Sequence, residues 1–290
     1  MIRKLPDLQH ESSPEFQIYI HQVGVQNVKV PFRLDSRYGG SHELVANVTM
    51  STDLGADKKG ISMSMLLRTL SNYLDRPLKS KLIRQILEEF ETAVETNSKE
   101  SQLKFEFQLP IYKRAPKSGL VFPQYYDCVF EGRLTPKNFT FFEKVIVQYG
   151  SYCPCSASLC EHLKEQGVSG YPHAQRAFAE VIVKVTDTSI DTSPAIVWLE
   201  DIIDVVENSV KTGTYPLLRR VDEQEVARIA AENPMFVEDS IRRIANGLNH
   251  MGPLYDWIVK CTHQESIHTS DAIAVMWKGV QGGFNGSKFL

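Results

Sequence analysis

The sequence has 290 residues, of which 42% are hydrophobic and 23% are charged, proportions that are typical of a soluble protein with a buried core. Its net charge of −3 gives no reason to expect binding to nucleic acid or to a membrane surface, and its longest apolar run, from Ala272 to Trp277, is far too short to span a membrane. The residues after Met1 show no signal-peptide pattern, and five cysteines, an odd number, favour reduced thiols in the cytoplasm.

The first half of the chain predicts four strands with two helices between the second and third. A polar arm of residues 1–15 precedes them. The strand patterns cover, in chain order, 16–34, 42–52, 103–109 and 121–134. Gly24 predicts a bulge or bend in the first strand. Apolar residues at helical spacing predict amphipathic helices over 61–74 and 79–95.

The second half repeats this order. Its strand patterns cover 139–152, 174–186, 254–262 and 268–278, and an amphipathic stretch covers 197–210. Asp222, followed by Glu225, predicts the start of one helix through a capping box. Asn233 before Pro234 predicts the start of the next, which we expect to end near Gly247.

This doubled order predicts an α+β protein of two modules, 1–135 and 136–290, in which antiparallel sheets carry their helices on one face. Each sheet would leave long edges, and native proteins pair or cover such edges. We therefore expect a homo-oligomer in which sheets of different subunits join into a barrel.

The stretch GSYCPCSASLCEHLKEQGVSGYPHAQR, residues 150–176, concentrates residues that can carry chemistry. Cys153 and His173 offer the thiolate and imidazole ligands that zinc and related divalent ions prefer. Their spacing is not that of a zinc finger, so a buried strand end with packed thiols explains the pattern equally well. Ser156 predicts the N-cap of a short helix over 157–164.

Acidic residues and histidines later in the chain have two interpretations each. Glu223, in a first helical turn, is either a surface acid that stabilises the helix or a ligand. Glu238 is either a solvated helix residue or an anchor for a pair of donors on a ligand. His263 and Glu265 share one strand face, so Glu265 could orient His263, and His268 follows closely.

The sequence contains neither a Walker loop nor a glycine-rich dinucleotide motif. A nucleotide phosphate would therefore need basic side chains, of which Lys59, Arg176, Arg219 and Arg220 are available. Charged residues of this kind are more often simply solvated.

Several short segments follow one another along the chain: VGV near residue 23, KKGISMS near residue 59, GSYCPCS, HAQR, YPLLRRVDE, NPMFVED, and ESIH followed by DA. Taken together and in this order, they resemble the GTP cyclohydrolase IB family. The resemblance implies two tandem tunnelling-fold (T-fold) modules per subunit, homotetramers built from barrels, and a divalent metal ion, zinc or manganese.

By motif, the resemblance implies that Cys153, His173 and Glu223 bind the metal. We predict that the other four cysteines are not ligands, because two thiolates on one ion would favour a closed structural zinc site. The resemblance also implies that Glu238 binds the guanine base and that His268 transfers protons. Cys153, His268 and Glu265 then form the catalytic set, and the substrate-binding set is Glu238, Arg220, Arg176 and Ser270.

The implied reaction gives each of these residue types a task. Opening a purine at C8 needs water activated at neutral pH, which a metal with an open position can supply. A histidine can protonate the ring nitrogen that leaves. A carboxylate can accept two hydrogen bonds from the N1–H and 2-amino groups of guanine. The expected reaction converts GTP to 7,8-dihydroneopterin triphosphate and formate, for folate-type synthesis.

Three positions depart from the family pattern. Ser62, Met65 and Ser270 stand where the family usually has histidine, arginine and histidine. One alternative is therefore a divergent member that stops at a ring-opened intermediate or acts on another purine. Further alternatives are an enzyme like the T-fold nitrile reductases, which use a cysteine nucleophile and NADPH, and a metal-free binding protein.

Overall fold

The strands form an eight-stranded sheet in which they lie side by side in sequence order, from β1 to β8. The computed structural model describes residues 12–94, 98–186, 197–252 and 254–285. The strands are β1 Ile20–Asp35, β2 Ser41–Leu54, β3 Ser101–Arg114, β4 Val121–Thr135, β5 Asn138–Tyr152, β6 Ala174–Thr186, β7 Asp256–Gln264 and β8 Asp271–Trp277. The helices within these residues are α1 Met63–Ser71, α2 Ser80–Val94, α3 Pro154–Glu165, α4 Leu199–Val210, α5 Arg220–Glu232 and α6 Val237–Asn249.

These elements confirm the predicted α+β class and the predicted order of strands and helices. Antiparallel pairing joins β1 to β2, β2 to β3, β6 to β7 and β7 to β8. Most of the predicted arm, residues 1–11, lies outside the described residues, as does Glu95 at the predicted end of the second helix.

The described residues divide into two compact units. The first contains β1, β2, α1 and α2. The second contains α3 to α6, β7, β8 and all of β6 except Thr186, while β3, β4 and β5 contribute residues to both. Every candidate site residue from Cys153 to Ser270 belongs to the second unit. The tandem modules 1–135 and 136–290 stay a prediction.

A row of phenylalanines fills the core of the first unit. Phe32 and Phe107 have ring centroids 5.1 Å apart, Phe107 and Phe130 are 5.3 Å apart, and Phe130 and Phe141 are 5.3 Å apart. Each such pair stabilises the fold by about 0.5–1.5 kcal/mol beyond the area it buries. The four rings come from four different strands, β1, β3, β4 and β5, and each is buried.

The predicted irregularity at Gly24 is confirmed. The pairing of β1 with β2 shifts register between Ile20 and Val23 and again between Val25 and Val28, on either side of this glycine. A Cβ at position 24 would clash with the carbonyl oxygen of Met50. The absence of a side chain therefore permits the close approach of the two backbones.

In the second unit, α6 packs against α4 and covers β7 and β8. The buried residues of α6 are Val237, Ser240, Ile241, Ile244, Ala245 and Leu248, which form one face at helical spacing. The polar member of this face, Ser240, points into the same interior as β7.

Three predicted helix starts are wrong. Helix α3 begins at Pro154 with Cys153 as its N-cap, so Ser156 lies inside the first turn. Proline at the first helical position needs no N–H partner, which lets the helix start earlier than the serine suggested.

The other two errors share one cause. Asp222 is the third residue of α5, where it accepts a hydrogen bond from the backbone N–H of the N-cap, Arg219. Asp239 does the same for Phe236, the N-cap of α6, at 3.2 Å. Asn233, the predicted cap of α6, instead ends α5. In both helices the acid closes the capping box from inside the helix.

Helix α6 continues to Asn249, beyond the glycine that was expected to end it. Position 247 faces the side chains of Val205 and Ser209 on α4, where a larger residue would collide. The glycine therefore allows close helix packing rather than a helix end. In the described part of the chain, no helix is both long and apolar enough to cross a membrane.

Candidate active site

Cys153 lies at the start of α3, directly after the end of β5. Its backbone is extended, with φ −66° and ψ 120°, and its carbonyl oxygen accepts the first helical hydrogen bond from Ala157 N at 2.9 Å. The side chain is half-buried and makes no cap hydrogen bond. The thiol therefore stands at a fixed backbone position, next to the N–H groups of a helix start.

His173 lies beside this turn, just before β6. Its backbone N–H donates to Ser156 Oγ at 3.3 Å, and its Nδ1 lies 3.5 Å from Ser266 Oγ. Ser156 was expected to cap α3; it holds His173 instead. Two serines thus place His173 between the turn that begins at Cys153 and the turn that follows β7.

Glu223 is exposed in the first turn of α5, and its neighbour Asp222 fixes the position of that turn. Asp222 accepts backbone hydrogen bonds from Lys117 at 2.9 Å and from Ser118 at 2.7 Å. Burial alone would raise the pKa of Asp222, but hydrogen bonds from Ser118, Arg219 and Lys117 hold that pKa well below its usual range. The anionic carboxylate therefore ties the start of α5 to the loop between β3 and β4.

Glu238 is exposed in the first turn of α6. The segment before this helix is joined to the end of β5 by two hydrogen bonds: Met235 N donates to Tyr152 O at 3.1 Å, and Ser151 Oγ donates to Met235 O at 3.1 Å. The helix that carries Glu238 is thus attached to the residues that immediately precede Cys153.

Glu265, His268 and Ser270 occupy the turn between β7 and β8. Glu265 is half-buried, and the other two are exposed. His268 N donates to Glu265 O at 3.3 Å, so the turn folds back on itself. Since Ser266 in the same turn contacts the His173 ring, the predicted proton-transfer residues lie on the side of the unit where His173 is found.

The two predicted phosphate contacts, Arg176 and Arg220, are both exposed. Arg176 lies on β6 opposite Gln264 of β7, and Arg220 is the first residue of α5. These positions keep both guanidinium groups accessible to a ligand.

The three predicted metal ligands suit a divalent ion by type, since mixed sulfur, nitrogen and oxygen ligation is compatible with zinc and manganese. The contacts of Ser156 place His173 near the turn of Cys153. Among the residues that the structure describes, no three or more His, Cys, Asp or Glu side chains form a group that could hold a metal ion. The metal assignment stays a prediction.

All five cysteines are free, and three of them are buried: Cys128, Cys160 and Cys261. Burial raises the pKa of the Cys261 thiol to about 12 and that of Cys128 well above its usual range. These two thiols are neutral core residues at neutral pH. Cys155, in contrast, is exposed in the first turn of α3.

His263 is buried among side chains that the sequence did not predict as its partners. Only 1% of it is exposed, and its ring contacts four side chains. Nε2 lies 3.0 Å from Tyr149 Oη and 3.4 Å from Ser240 Oγ. Nδ1 lies 3.2 Å from Ser151 Oγ and 3.2 Å from Gln175 Nε2.

The expected partner, Glu265, is not among these four. Burial lowers the pKa of His263 to about 4, so the ring is neutral at neutral pH. Strict alternation of Val259, Cys261 and His263 in β7 indicates that the histidine faces inward, which was the one available signal.

The chain is similar to known proteins over most of its length. Residues 5–274 match the family described as type I GTP cyclohydrolase folE2. The GTP cyclohydrolase FolE2 of Dinoroseobacter shibae is 34% identical over 95% of this chain and 74% of that protein. The GTP cyclohydrolase FolE2 of Cereibacter sphaeroides is 34% identical over 95% of this chain and 76% of that protein.

Solved structures with a similar fold include urate oxidases. One from Bacillus sp. TB-90 has a TM-score of 0.55 and 11% identity, covering 89% of this chain and 99% of that one. The uricase from Arthrobacter globiformis has a TM-score of 0.53 and 4% identity, covering 93% and 97%. At such low identity the likeness concerns the fold alone, and it confirms the predicted tunnelling fold.

Proposed function

Because this chain belongs to the family of type I GTP cyclohydrolases described as folE2, we propose that it hydrolyses GTP to 7,8-dihydroneopterin triphosphate and formate. The observation that carries this proposal is the match to FolE2 proteins over 95% of the chain. The finer assignment to the IB subgroup, for folate-type synthesis in the cytoplasm, is part of the same proposal. This match favours GTP cyclohydrolase chemistry over that of a nitrile reductase or a metal-free binding protein.

Glu238 is proposed to select guanine. Its carboxylate can accept two parallel hydrogen bonds, from N1–H and from the 2-amino group, and adenine offers no such pair. Asp239 already closes the capping box of α6, which leaves the exposed Glu238 carboxylate available for a ligand. The two hydrogen bonds between β5 and the segment before α6 hold this carboxylate relative to Cys153.

Cys153, His173 and Glu223 are proposed to hold a zinc or manganese ion. When bound, such an ion would supply a Lewis acid that activates water at neutral pH for attack at C8. The chain's own contribution is to orient these ligands. Helix α3 fixes Cys153, Ser156 and Ser266 orient His173, and Asp222 fixes the turn that carries Glu223.

His268 is proposed to protonate the purine ring nitrogen that leaves C8, because a histidine can exchange protons near neutral pH. Glu265, to whose carbonyl oxygen His268 N donates, lies in the same turn and assists this transfer. Ser270 provides a hydroxyl hydrogen bond to the substrate. The guanidinium groups of Arg176 and Arg220 bind the triphosphate, for which their bidentate geometry is well suited.

A second candidate function follows from the three departures from the family motifs. Ser62 is the N-cap of α1, with its Oγ 3.2 Å from Ser64 Oγ, and Met65 follows within the helix. With serine at positions 62 and 270, two imidazole groups are missing from the motif set, and losing one general acid–base typically costs ~10²–10⁴-fold in rate. An enzyme that stops after ring opening, or that acts on another purine, is the alternative.

One experiment separates these candidates. Purified protein is incubated with GTP and manganese or zinc, while formate and pterin fluorescence are followed separately. We expect both products to form. Formate without pterin would identify the arrested reaction, and no formate in a metal-loaded protein would exclude GTP as the substrate.

The enzyme is also proposed to be a homo-oligomer, with a tetramer as the expected state. Strands β1 and β8 lie at the two ends of the strand order, and β8 exposes the large apolar side chains of Ile273, Met276 and Trp277. Exposed edges of this kind are normally paired or covered in native proteins. Sedimentation at micromolar concentration tests this, and a stable monomer would contradict it.

A further inference from the structure

Two polar partners of His263, and His263 itself, each lie two positions along the chain from a candidate site residue. Ser151 lies two residues before Cys153, and Gln175 lies two residues after His173. His263 itself lies two residues before Glu265. Ser151, Gln175 and His263 each lie one residue from the end of β5, β6 and β7, respectively. Their side chains contact one another and form a buried polar layer close in sequence to the candidate site residues.

The same ring also contacts the helix that carries the proposed guanine ligand. Ser240 lies two residues after Glu238, and its Oγ is 3.4 Å from His263 Nε2 and 3.2 Å from Phe236 O. Ser151 adds a second connection, because it contacts the His263 ring and donates to Met235 O. One imidazole therefore joins three strands and one helix, and each of these elements carries a proposed site residue or ends next to one.

The orientation of the Gln175 amide bears on the tautomer of the ring. Its nitrogen lies 3.2 Å from Nδ1 of His263 and can only donate, so in this orientation Nδ1 accepts and the ring proton is on Nε2. That proton faces the hydroxyl oxygens of Tyr149 and Ser240. The Gln175 amide oxygen has no hydrogen-bond partner among the described residues, so this amide is held through its nitrogen, by His263 and by Ser151.

Removing the ring would therefore take one hydrogen-bond partner from several groups together. Gln175 would keep only its 3.5 Å contact with Ser151, and Tyr149 would lose its 3.0 Å contact with the ring and keep those with Ser240 and Cys261. Buried polar groups without partners are costly, so the surrounding elements would shift to satisfy them. Such shifts would move the strand ends and the start of α6 relative to one another.

We propose that His263 is a positioning residue of the active site, which sets the relative placement of Cys153, His173 and Glu238 without contacting the substrate. This rests on the proposed function, because it is the GTP reaction that gives those three residues their tasks. The neutral, buried ring acts by hydrogen-bond geometry, and proton transfer belongs to the exposed His268.

The test compares His263→Phe, His263→Asn and Val259→Ala. Phenylalanine fills the space of the ring without hydrogen bonds, while asparagine offers an amide near the position of Nδ1, facing Ser151 and Gln175. Val259 is fully buried on the same face of β7, so Val259→Ala creates a packing defect and leaves the polar layer intact. Thermal unfolding establishes that all three variants are folded.

We expect His263→Phe to lower kcat/KM for formate release from GTP by about 10- to 100-fold, the usual effect of losing a residue that orients a site. His263→Asn should recover part of this loss. We expect Val259→Ala to lower the melting temperature about as much as His263→Phe does. Its kcat/KM for formate release should nevertheless stay within about twofold of the wild-type value. A folded phenylalanine variant with wild-type kcat/KM, or an equal loss in Val259→Ala, would overturn the proposal.

If His263→Phe does not fold, His263→Gln takes its place, because its longer amide cannot reach both Ser151 and Tyr149 from the same backbone position. We expect at least a fivefold loss of kcat/KM, and unchanged kinetics would overturn the proposal.

Hydrogen exchange provides a readout that needs no substrate. The amide of Met235, bonded to Tyr152 O, and the first turn of α6 should exchange faster in the His263 variant than in Val259→Ala. If the wild type releases no formate from GTP, the proposed function fails, and the positioning role is then decided by exchange alone. Faster exchange over residues 235–240 supports it, and unchanged exchange there overturns it.

Discussion

Asp222 and Ser118 are joined by two hydrogen bonds: Ser118 N donates to Asp222 Oδ1 at 2.7 Å, and Ser118 Oγ donates to Asp222 Oδ2 at 2.6 Å. The residue after Asp222 is the proposed metal ligand Glu223. A carboxylate that is not itself a proposed ligand thus anchors the helical turn on which a proposed ligand stands.

Asp222→Asn is therefore expected to lower both the melting temperature and the metal content at pH 7. The folded pKa of Asp222 lies below its unfolded value, so the stability it contributes is present above the unfolded pKa and is lost as the pH falls through the folded pKa. The difference in melting temperature between variant and wild type should therefore shrink in strong acid.

Asp239→Asn is the matched control for this variant, because Asp239 closes the capping box of α6 in the same way. It should lower the melting temperature without removing metal. Equal metal loss in the two variants would show that metal binding does not depend specifically on the anchoring of the Glu223 turn by Asp222.

Cys153→Ala is expected to remove the bound metal, whereas Cys155→Ser should retain it. Cys153 is the half-buried N-cap of α3, while Cys155 is exposed within the first turn, so the two thiols differ in their surroundings despite their proximity in sequence. Elemental analysis of both purified variants beside the wild type makes the comparison. Metal that persists in Cys153→Ala would remove this cysteine from the ligand set.

Glu238→Gln is expected to lower kcat/KM for GTP by about 10- to 100-fold, since a hydrogen bond to a charged group is worth about 1.5–3 kcal/mol. The glutamine oxygen can accept from guanine, but its amino group would face the donors of the base. With inosine triphosphate, which lacks the 2-amino group, the same substitution should lower kcat/KM by a smaller factor. Steady-state kinetics with both nucleotides measures the difference, and equal losses would mean that Glu238 does not contact the 2-amino group.

Glu143→Gln is expected to raise the melting temperature at pH 8 by a few degrees, on the order of 1 kcal/mol of stability. Glu143 is buried in β5, and its Oε2 has no hydrogen-bond partner among the described residues. Burial, with the nearby carboxylates of Glu200 and Asp201, raises its pKa well above the usual range.

The size of this increase in melting temperature depends on pH. A raised folded pKa means that the stability from the protonated carboxyl is complete below the unfolded pKa and is lost as the pH rises towards the folded pKa. At pH 4 the variant and the wild type should therefore have the same melting temperature. Glu161→Gln, at an exposed carboxylate of α3, should show no such pH dependence, and a destabilised Glu143→Gln at pH 8 would refute the prediction.

The sequence by itself determined the strands and most of the order of elements. In β3, apolar and polar residues alternate from Leu103 to Leu109, and this period determines both the strand and its buried face. Burial alternates equally strictly in β5, although Phe142 and Glu143 interrupt the apolar and polar pattern of its sequence. The motifs around Cys153, Arg176 and Glu238 likewise indicated the family, because their order along the chain is a property of the sequence alone.

Helix starts were determined less well, since the same residue types occur on both sides of a cap. Asp222 and Asn233 are good N-cap residues, yet one closes a capping box from the third helical position and the other ends α5. Ser156, a third good cap residue, bonds to His173 instead. Local propensity could not decide between these roles, because the partners that decide them belong to other elements.

Only the tertiary structure decided the surroundings of His263. Alternation in β7 indicates an inward-facing histidine, but its partners Tyr149, Ser151, Gln175 and Ser240 are contributed by β5, β6 and α6. Tyr149 is separated from His263 by 114 positions in the chain. The period of a pattern tells which face a side chain takes, whereas its neighbours on that face depend on strand pairing and helix packing, which bring distant residues together.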